Sequence, residues 1–303
     1  MDMDRFRHHL AGPVASINTP FLENDDIDID GLRRFVDFCI EAGAGTVLFT
    51  PGDSLYSVLT EAEVAELTAF TAGVVNKRAL FIASAGFWST PQTAAFAEYA
   101  RDRGADAVIV APPDRGMTVD GLVAYYGAVS RAVPAFILSA GLVSVGVRGA
   151  LETVERLLDE VPGVVGFKED FGPDFARGAC VRAHDKWVIF AGGQKQTHMD
   201  MLPYGCDGYM STFIKFKPDV AQTYWTAIER GDLDGAADVI ARYDMPFFDY
   251  LYNTFPAGGD AAQHAVLELA GICGRWRRNP LPDLSDAEME QLKGFLTDGG
   301  MLK

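Results

Sequence analysis

The chain is short of positive charge. Its 303 residues carry 26 Lys and Arg against 42 Asp and Glu, a formal net charge of -16. A surface of that sign repels phosphate backbones, so nucleic acid is excluded as an expected partner. It also means that an anionic substrate must be held by local cations, because the overall field opposes it. Cysteine is scarce too: Cys39, Cys180, Cys206 and Cys273 are the only four, and none forms a CxxC pair. Neither a zinc site nor a disulfide framework is suggested, and their apolar surroundings point to reduced, buried thiols in a cytoplasmic protein. Long apolar runs are missing, none approaching the roughly 20 residues of a membrane span. Met1 to Leu10 is charged and lacks an apolar h-region, so no signal peptide is expected. A glycine-rich phosphate turn is missing after the first strand-like run, where Asn18-Thr19-Pro20-Phe21 stands instead. That argues against an open doubly wound sheet, the second-ranked architecture. No cofactor and no metal are expected, and the lone His198 has no evident metal partner.

What the chain does have is apolar residues, 49% of the total, and a strict alternation of strand-like and helix-like runs. Strands are expected at 14–18, 46–50, 80–85, 107–111, 135–139, 164–168, 187–191 and 209–212. Helices are expected between them, at 30–42 (Asp30 as N-cap), 59–75, from the Thr90 cap to 105, and at 119–132, 151–161, 174–184 and 196–204. Thr60 with Glu63 three residues on is a capping box. Eight strand-then-helix units predict an α/β fold, a (β/α)8 TIM barrel. The barrel is expected over 1–225. Further helical stretches at 220–230, 233–251, 261–269 and 286–296 make a C-terminal helical subdomain over 226–303.

One stretch carries chemistry. Val164-Val165-Gly166-Phe167-Lys168-Glu169-Asp170 is an apolar run that ends in a lysine and two carboxylates. A lysine at the end of a barrel strand sits at the active-site mouth. Partial desolvation there would expose a neutral amine able to attack a carbonyl. The alternative is that Lys168 caps the strand and pairs with Glu169.

At this point the sequence resembles the dihydrodipicolinate synthase/N-acetylneuraminate lyase family over essentially its whole length. Thr19-Pro20-Phe21, Ser89-Thr90, Pro112-Pro113, Gly166-Phe167-Lys168-Glu169 and Gly205-Cys206-Asp207-Gly208-Tyr209-Met210-Ser211 match the family's motifs in order and spacing. The resemblance implies that Lys168 forms an imine with the 2-keto group of a 2-keto acid. The protonated imine would stabilise a carbanion at the neighbouring carbon. It also implies that Gly193 and Met210 lie near the pocket.

The departures are as informative. The family's strand-five tyrosine, a proton relay, is replaced by Ser139, which could donate a hydrogen bond or hold a water, or could simply end the strand. Its GTTGE loop pairs without gaps with Pro51-Gly52-Asp53-Ser54-Leu55, leaving Gly52 and Ser54 as backbone donors. A gapped pairing sets Thr50-Pro51-Gly52-Asp53 against TTGE instead. Asp53 beside a substrate carboxylate would repel it unless paired with a cation or acting as acid or base. After Pro113 the family shows tyrosines; this chain has Asp114-Arg115, and Arg115 could bind a carboxylate or form a solvated turn pair. Lys195 offers a second cation, and the aromatic cluster from Phe247 to Tyr252 reads as helix packing.

The expected function is a cofactor-free, Schiff-base (class I) lyase acting on a small-molecule 2-keto acid by aldol cleavage, condensation or dehydration of a keto-deoxy sugar acid. The competing expectation is a family member that has lost catalysis and binds a small acid as sensor or structural partner. A homodimer or homotetramer is expected, with no membrane partner.

Overall fold

The computed structural model describes residues 2–113 and 115–302; Met1, Asp114 and Lys303 lie outside them. Eight parallel strands close into a barrel in sequence order. They are β1 Gly12–Ser16, β2 Thr46–Leu48, β3 Leu80–Ser84, β4 Ala107–Val110, β5 Ala135–Leu138, β6 Val164–Glu169, β7 Val188–Ala191 and β8 Gly208–Met210. Each falls on a run expected from sequence, because a strand buried on both faces leaves an unbroken apolar signature.

The helices are α1 Met3–Leu10, α2 Ile29–Glu41, α3 Glu61–Val75, α4 Thr90–Arg103, α5 Val119–Val129, α6 Gly146–Glu160, α7 Pro173–Ala183 and α8 Gln194–Met201, then α9 Pro218–Glu229, α10 Leu233–Val239, α11 Met245–Thr254, α12 Gly259–Leu269 and α13 Asp286–Asp298. Two caps differ from expectation. Asp28, not Asp30, accepts the first-turn N–H of α2. Ser89, not Thr90, precedes α4, its backbone N–H donating to Gln92. The capping box at Thr60 and Glu63 forms as read. The boundary expected at residue 225 falls inside α9, which runs unbroken across it.

Two cores organise the molecule. Outward residues such as Val47, Phe81, Ile137 and Phe167 pack against Leu32, Phe35, Leu122 and Leu157 of the surrounding helices. Inward residues such as Leu48, Ile82, Ile109, Phe136 and Phe190 fill the barrel. The N-terminal end is plugged by α1, an element the sequence reading passed over: Phe6 stacks edge-on against Phe136 at 5.8 Å, and Leu10 is fully buried. The four cysteines are buried and unpaired. Among the described residues, no helix is long and apolar enough to cross a membrane.

One irregularity aims the site. Along β5 and β6, Ala135 pairs with Val164 but Phe136 pairs with Gly166, so Val165 is an extra residue. A strand side-chain period of two puts residues three apart on opposite faces. The bulge resets that period, a device common beside active sites. Val165 packs in the barrel interior, Phe167 packs outward, and Lys168 reaches the cavity at the barrel mouth. Gly166 has no room for a side chain, since a Cβ there would overlap the Val188 carbonyl oxygen of the neighbouring strand.

Candidate active site

Lys168 is 6% exposed at the end of β6 and lies on a cavity of about 370 Å³ at the C-terminal mouth of the barrel. Its Nζ contacts Oδ2 of Asp170. The two side chains share a face because they are two residues apart in an extended segment. Glu169 between them turns the other way. It is buried, accepting from Ser139 Oγ at 3.1 Å and from the Gly172 backbone N–H at 2.6 Å. Burial pushes the Glu169 carboxyl up to about 7, helped by the neighbouring Asp170 charge and opposed by those hydrogen bonds. Lys168 therefore pairs with Asp170, not with Glu169.

A second carboxylate lines the cavity, with a buried cation behind it. Asp53, on the loop after β2, stands 3.6 Å from Nζ of the buried Lys215. Burial alone would raise the Asp53 pKa, but the Lys215 and Lys168 cations outweigh it and hold the carboxyl below its usual range. Lys215 donates to Asn18 Oδ1 at 2.8 Å, and the Asn18 amide lies 3.5 Å from His264 Nε2. Burial pushes the His264 imidazole down to about 3, so this ring is neutral at physiological pH. Asp53 thus has a pairing cation in Lys215.

The roof comes from the C-terminal helices. Phe248 and Tyr252 of α11 and Asp260 and Gln263 of α12 line the cavity with Gln194 and Gln196. Gln263 donates to the Tyr252 hydroxyl at 3.3 Å, and its carbonyl oxygen accepts from Thr212 Oγ1 at 3.3 Å. Part of the aromatic cluster read as helix packing therefore faces the site, while Phe247 packs inside as expected.

The residues singled out from sequence divide in two. Lys168, Asp53, Gly193 and Met210 meet on the one cavity. Ser54 is fully buried and does not line it: its hydroxyl donates to the Ile17 carbonyl at 2.7 Å and accepts from the Thr50 N–H at 3.2 Å, tying the loop to β1. Gly52 is solvent-exposed at the tip of the same loop. Arg115 is exposed on the loop after β4 and lines neither cavity at the barrel mouth. Its expected turn partner Asp114 lies outside the described residues. Ser139 is fully buried, its hydroxyl engaged by Glu169 and by the Asp170 N–H at 2.7 Å.

Lys195 is a correction. It was expected at the mouth as a second cation, but it is fully buried beneath it. It binds Asp244 at 2.8 and 3.0 Å and lies 4.4 Å from the centre of the Phe213 ring. As the second residue of α8 it turns towards Tyr209, Phe213 and Tyr224 rather than the opening. His198 is likewise buried, against the Tyr224 hydroxyl at 2.7 Å, and no metal-binding cluster occurs among the described residues.

The family profile described as Dihydrodipicolinate synthetase family matches residues 9–298. The chain belongs to that family. A 4-hydroxy-tetrahydrodipicolinate synthase of Syntrophus aciditrophicus (strain SB) is 30% identical over 300 residues, spanning 97% of this chain and 99% of its own. A probable 5-dehydro-4-deoxyglucarate dehydratase 2 of Streptomyces coelicolor is 28% identical over 304 residues, spanning 97% and 92%. Among solved structures, YagE, a prophage protein of the dihydrodipicolinic acid synthase family from E. coli K12 in complex with pyruvate, superposes with a TM-score of 0.84. It is 20% identical, over 96% of this chain and 99% of that one. Dihydrodipicolinate synthetase relatives of this chain thus carry the names of both synthases and dehydratases.

Asp170, Lys215, Tyr252 and Gln263 were not among the residues chosen from sequence. For Asp170 a signal existed: it stands two residues after Lys168 on an extended segment. Tyr252 and Gln263 reach the site only through tertiary packing of α11 and α12, which no local pattern announces.

Proposed function

We propose that this family member is a Schiff-base-forming lyase whose Lys168 attacks the 2-keto group of a hydroxylated 2-keto acid. The observation that carries the reading is Lys168 on a mouth cavity that two carboxylates, Asp170 and Asp53, also line. An amine in that place can attack a carbonyl once its proton has an acceptor. The resulting iminium withdraws electrons from the adjacent carbon, so a proton, a C–C bond or a C–O bond there becomes labile.

The walls speak to the substrate. Asp53, Asp170 and Asp260 supply carboxylates; Gln194, Gln196 and Gln263 supply amides. Such groups accept and donate hydrogen bonds to hydroxyls, as a keto-deoxy sugar acid would present. A volume of about 370 Å³ suits a small sugar acid, since ligand sites run from about 300 Å³ upward. The dehydratase name of the Streptomyces relative supports the same substrate class, and the pyruvate of the YagE complex supports 2-keto acid chemistry.

The test is a panel of keto-deoxy sugar acids, followed by mass spectrometry for loss of water or release of pyruvate. Turnover of at least one, abolished in Lys168→Ala, is expected. Binding without turnover across the panel would make the protein a sensor of such acids instead.

A further inference from the structure

No tyrosine stands at the end of β5, where the family's proton relay is expected, and Ser139, which takes its place in sequence, is turned away from the cavity. Its hydroxyl donates to Glu169 and accepts from the Asp170 N–H. Something else must carry the protons of imine chemistry. We propose that Asp170 is the acid–base residue of the site, exchanging protons directly with the Lys168 amine and with the substrate oxygen that leaves as water. This rests on the imine reading above.

Three features of the structure converge on Asp170. Its carboxylate already contacts Lys168 Nζ, the reacting atom. It borders both cavities at the mouth, the one holding Lys168 and a neighbouring one of about 330 Å³ between α7 and α8, so it reaches substrate space on either side. Its place is also built. Ser139 fixes its backbone N–H, and Gly192 leaves the gap it occupies, since a Cβ on Gly192 would overlap Asp170 Oδ1. The serine in the tyrosine's place is a positioning residue for the carboxylate that does the work.

The protons balance without any outside reagent. The Lys168 ammonium gives a proton to the Asp170 carboxylate, and the freed amine forms a C–N bond to C2 while the carbonyl π electrons move to oxygen. That oxygen takes the Asp170 proton, and the new ammonium nitrogen returns one to the carboxylate, leaving a neutral carbinolamine. Asp170 then protonates the hydroxyl, the C–O bond breaks, and water leaves as the nitrogen lone pair forms C=N. The iminium carries the charge that began on the ammonium, and Asp170 is again a carboxylate, ready to take a proton from C3.

The test measures the rate at which borohydride with pyruvate modifies Lys168 in wild type, in Asp170→Asn and in Asp170→Ala. Asp170→Asn keeps the shape but cannot carry the proton, and its trapping rate should fall by roughly a hundred- to ten-thousand-fold. Formate should restore the rate of Asp170→Ala in a concentration-dependent manner, a response that a purely structural carboxylate would not show. Wild-type trapping rates in Asp170→Asn would overturn the assignment, as would a slow, folded Asp170→Ala indifferent to formate. Absence of any adduct in the wild type would instead overturn the imine reading itself.

Discussion

Lys195 and Asp244 form an ion pair whose two side chains are fully buried. Burial lowers the Lys195 pKa and raises that of Asp244, so each charge persists only through its partner. Replacing Lys195 with Met leaves the Asp244 carboxylate in an apolar interior with nothing to pair. Breaking one partner of such a pair costs about 3–5 kcal/mol. Unfolding entropy runs near 2.1 cal/mol/K per residue, or about 0.6 kcal/mol/K for a chain of this length, so Lys195→Met should lower Tm by about 5–8 °C. Asp244→Leu should do the same by exposing the opposite fault. The double variant Lys195→Met with Asp244→Leu should lose much less than the sum, because no unpaired charge remains. Thermal unfolding followed by circular dichroism on all four proteins measures the coupling. An unmoved Tm in Lys195→Met together with a raised KM for the keto acid would refute the reasoning and return Lys195 to the substrate site.

Other outcomes follow from the same geometry. The Glu169 carboxyl, pushed up to about 7 from an ordinary 4.5, holds a proton in the folded state that the unfolded chain releases first. Its contribution is therefore full below pH 4.5 and is lost as pH rises towards 7, about 3 kcal/mol over that window. Denaturant melts across the range should show Glu169→Gln lacking that downward slope relative to wild type. Arg115→Ala should leave KM unchanged, because the side chain lines neither cavity at the mouth; a tenfold rise, about 1.4 kcal/mol, would place Arg115 on the substrate anion. Light scattering should find a dimer or tetramer, and a particle of 32.9 kDa would rule that out.

The barrel was legible because its signals are local and repeated. Eight apolar runs, each stopped by a loop, sit where eight strands form, and Lys168 falls at a strand end in both readings. What escaped has physical causes. An eight-residue helix such as α1 is too short for periodicity to show, though Asp2 caps it and Arg7, His8 and His9 suit its C-terminal end. The depth of Lys195 depends on which face of α8 meets Phe213 and Asp244, and Asp244 lies 49 residues away. Ser139 stands just after β5, and its hydroxyl serves the backbone of Asp170, a choice set by the loop after β6 rather than by the strand before it. The β6 bulge is invisible in a run of valines, yet it decides that Lys168 faces the cavity.

The central claim is that Lys168 forms the imine, and one measurement meets it directly. The protein is reduced with borohydride in the presence of pyruvate, digested, and the modified peptide sequenced by mass spectrometry. The adduct should sit on Lys168, in the peptide that also carries Glu169 and Asp170, and should vanish in Lys168→Arg. An adduct on Lys215 or Lys195, or unmodified lysines throughout, would contradict the account.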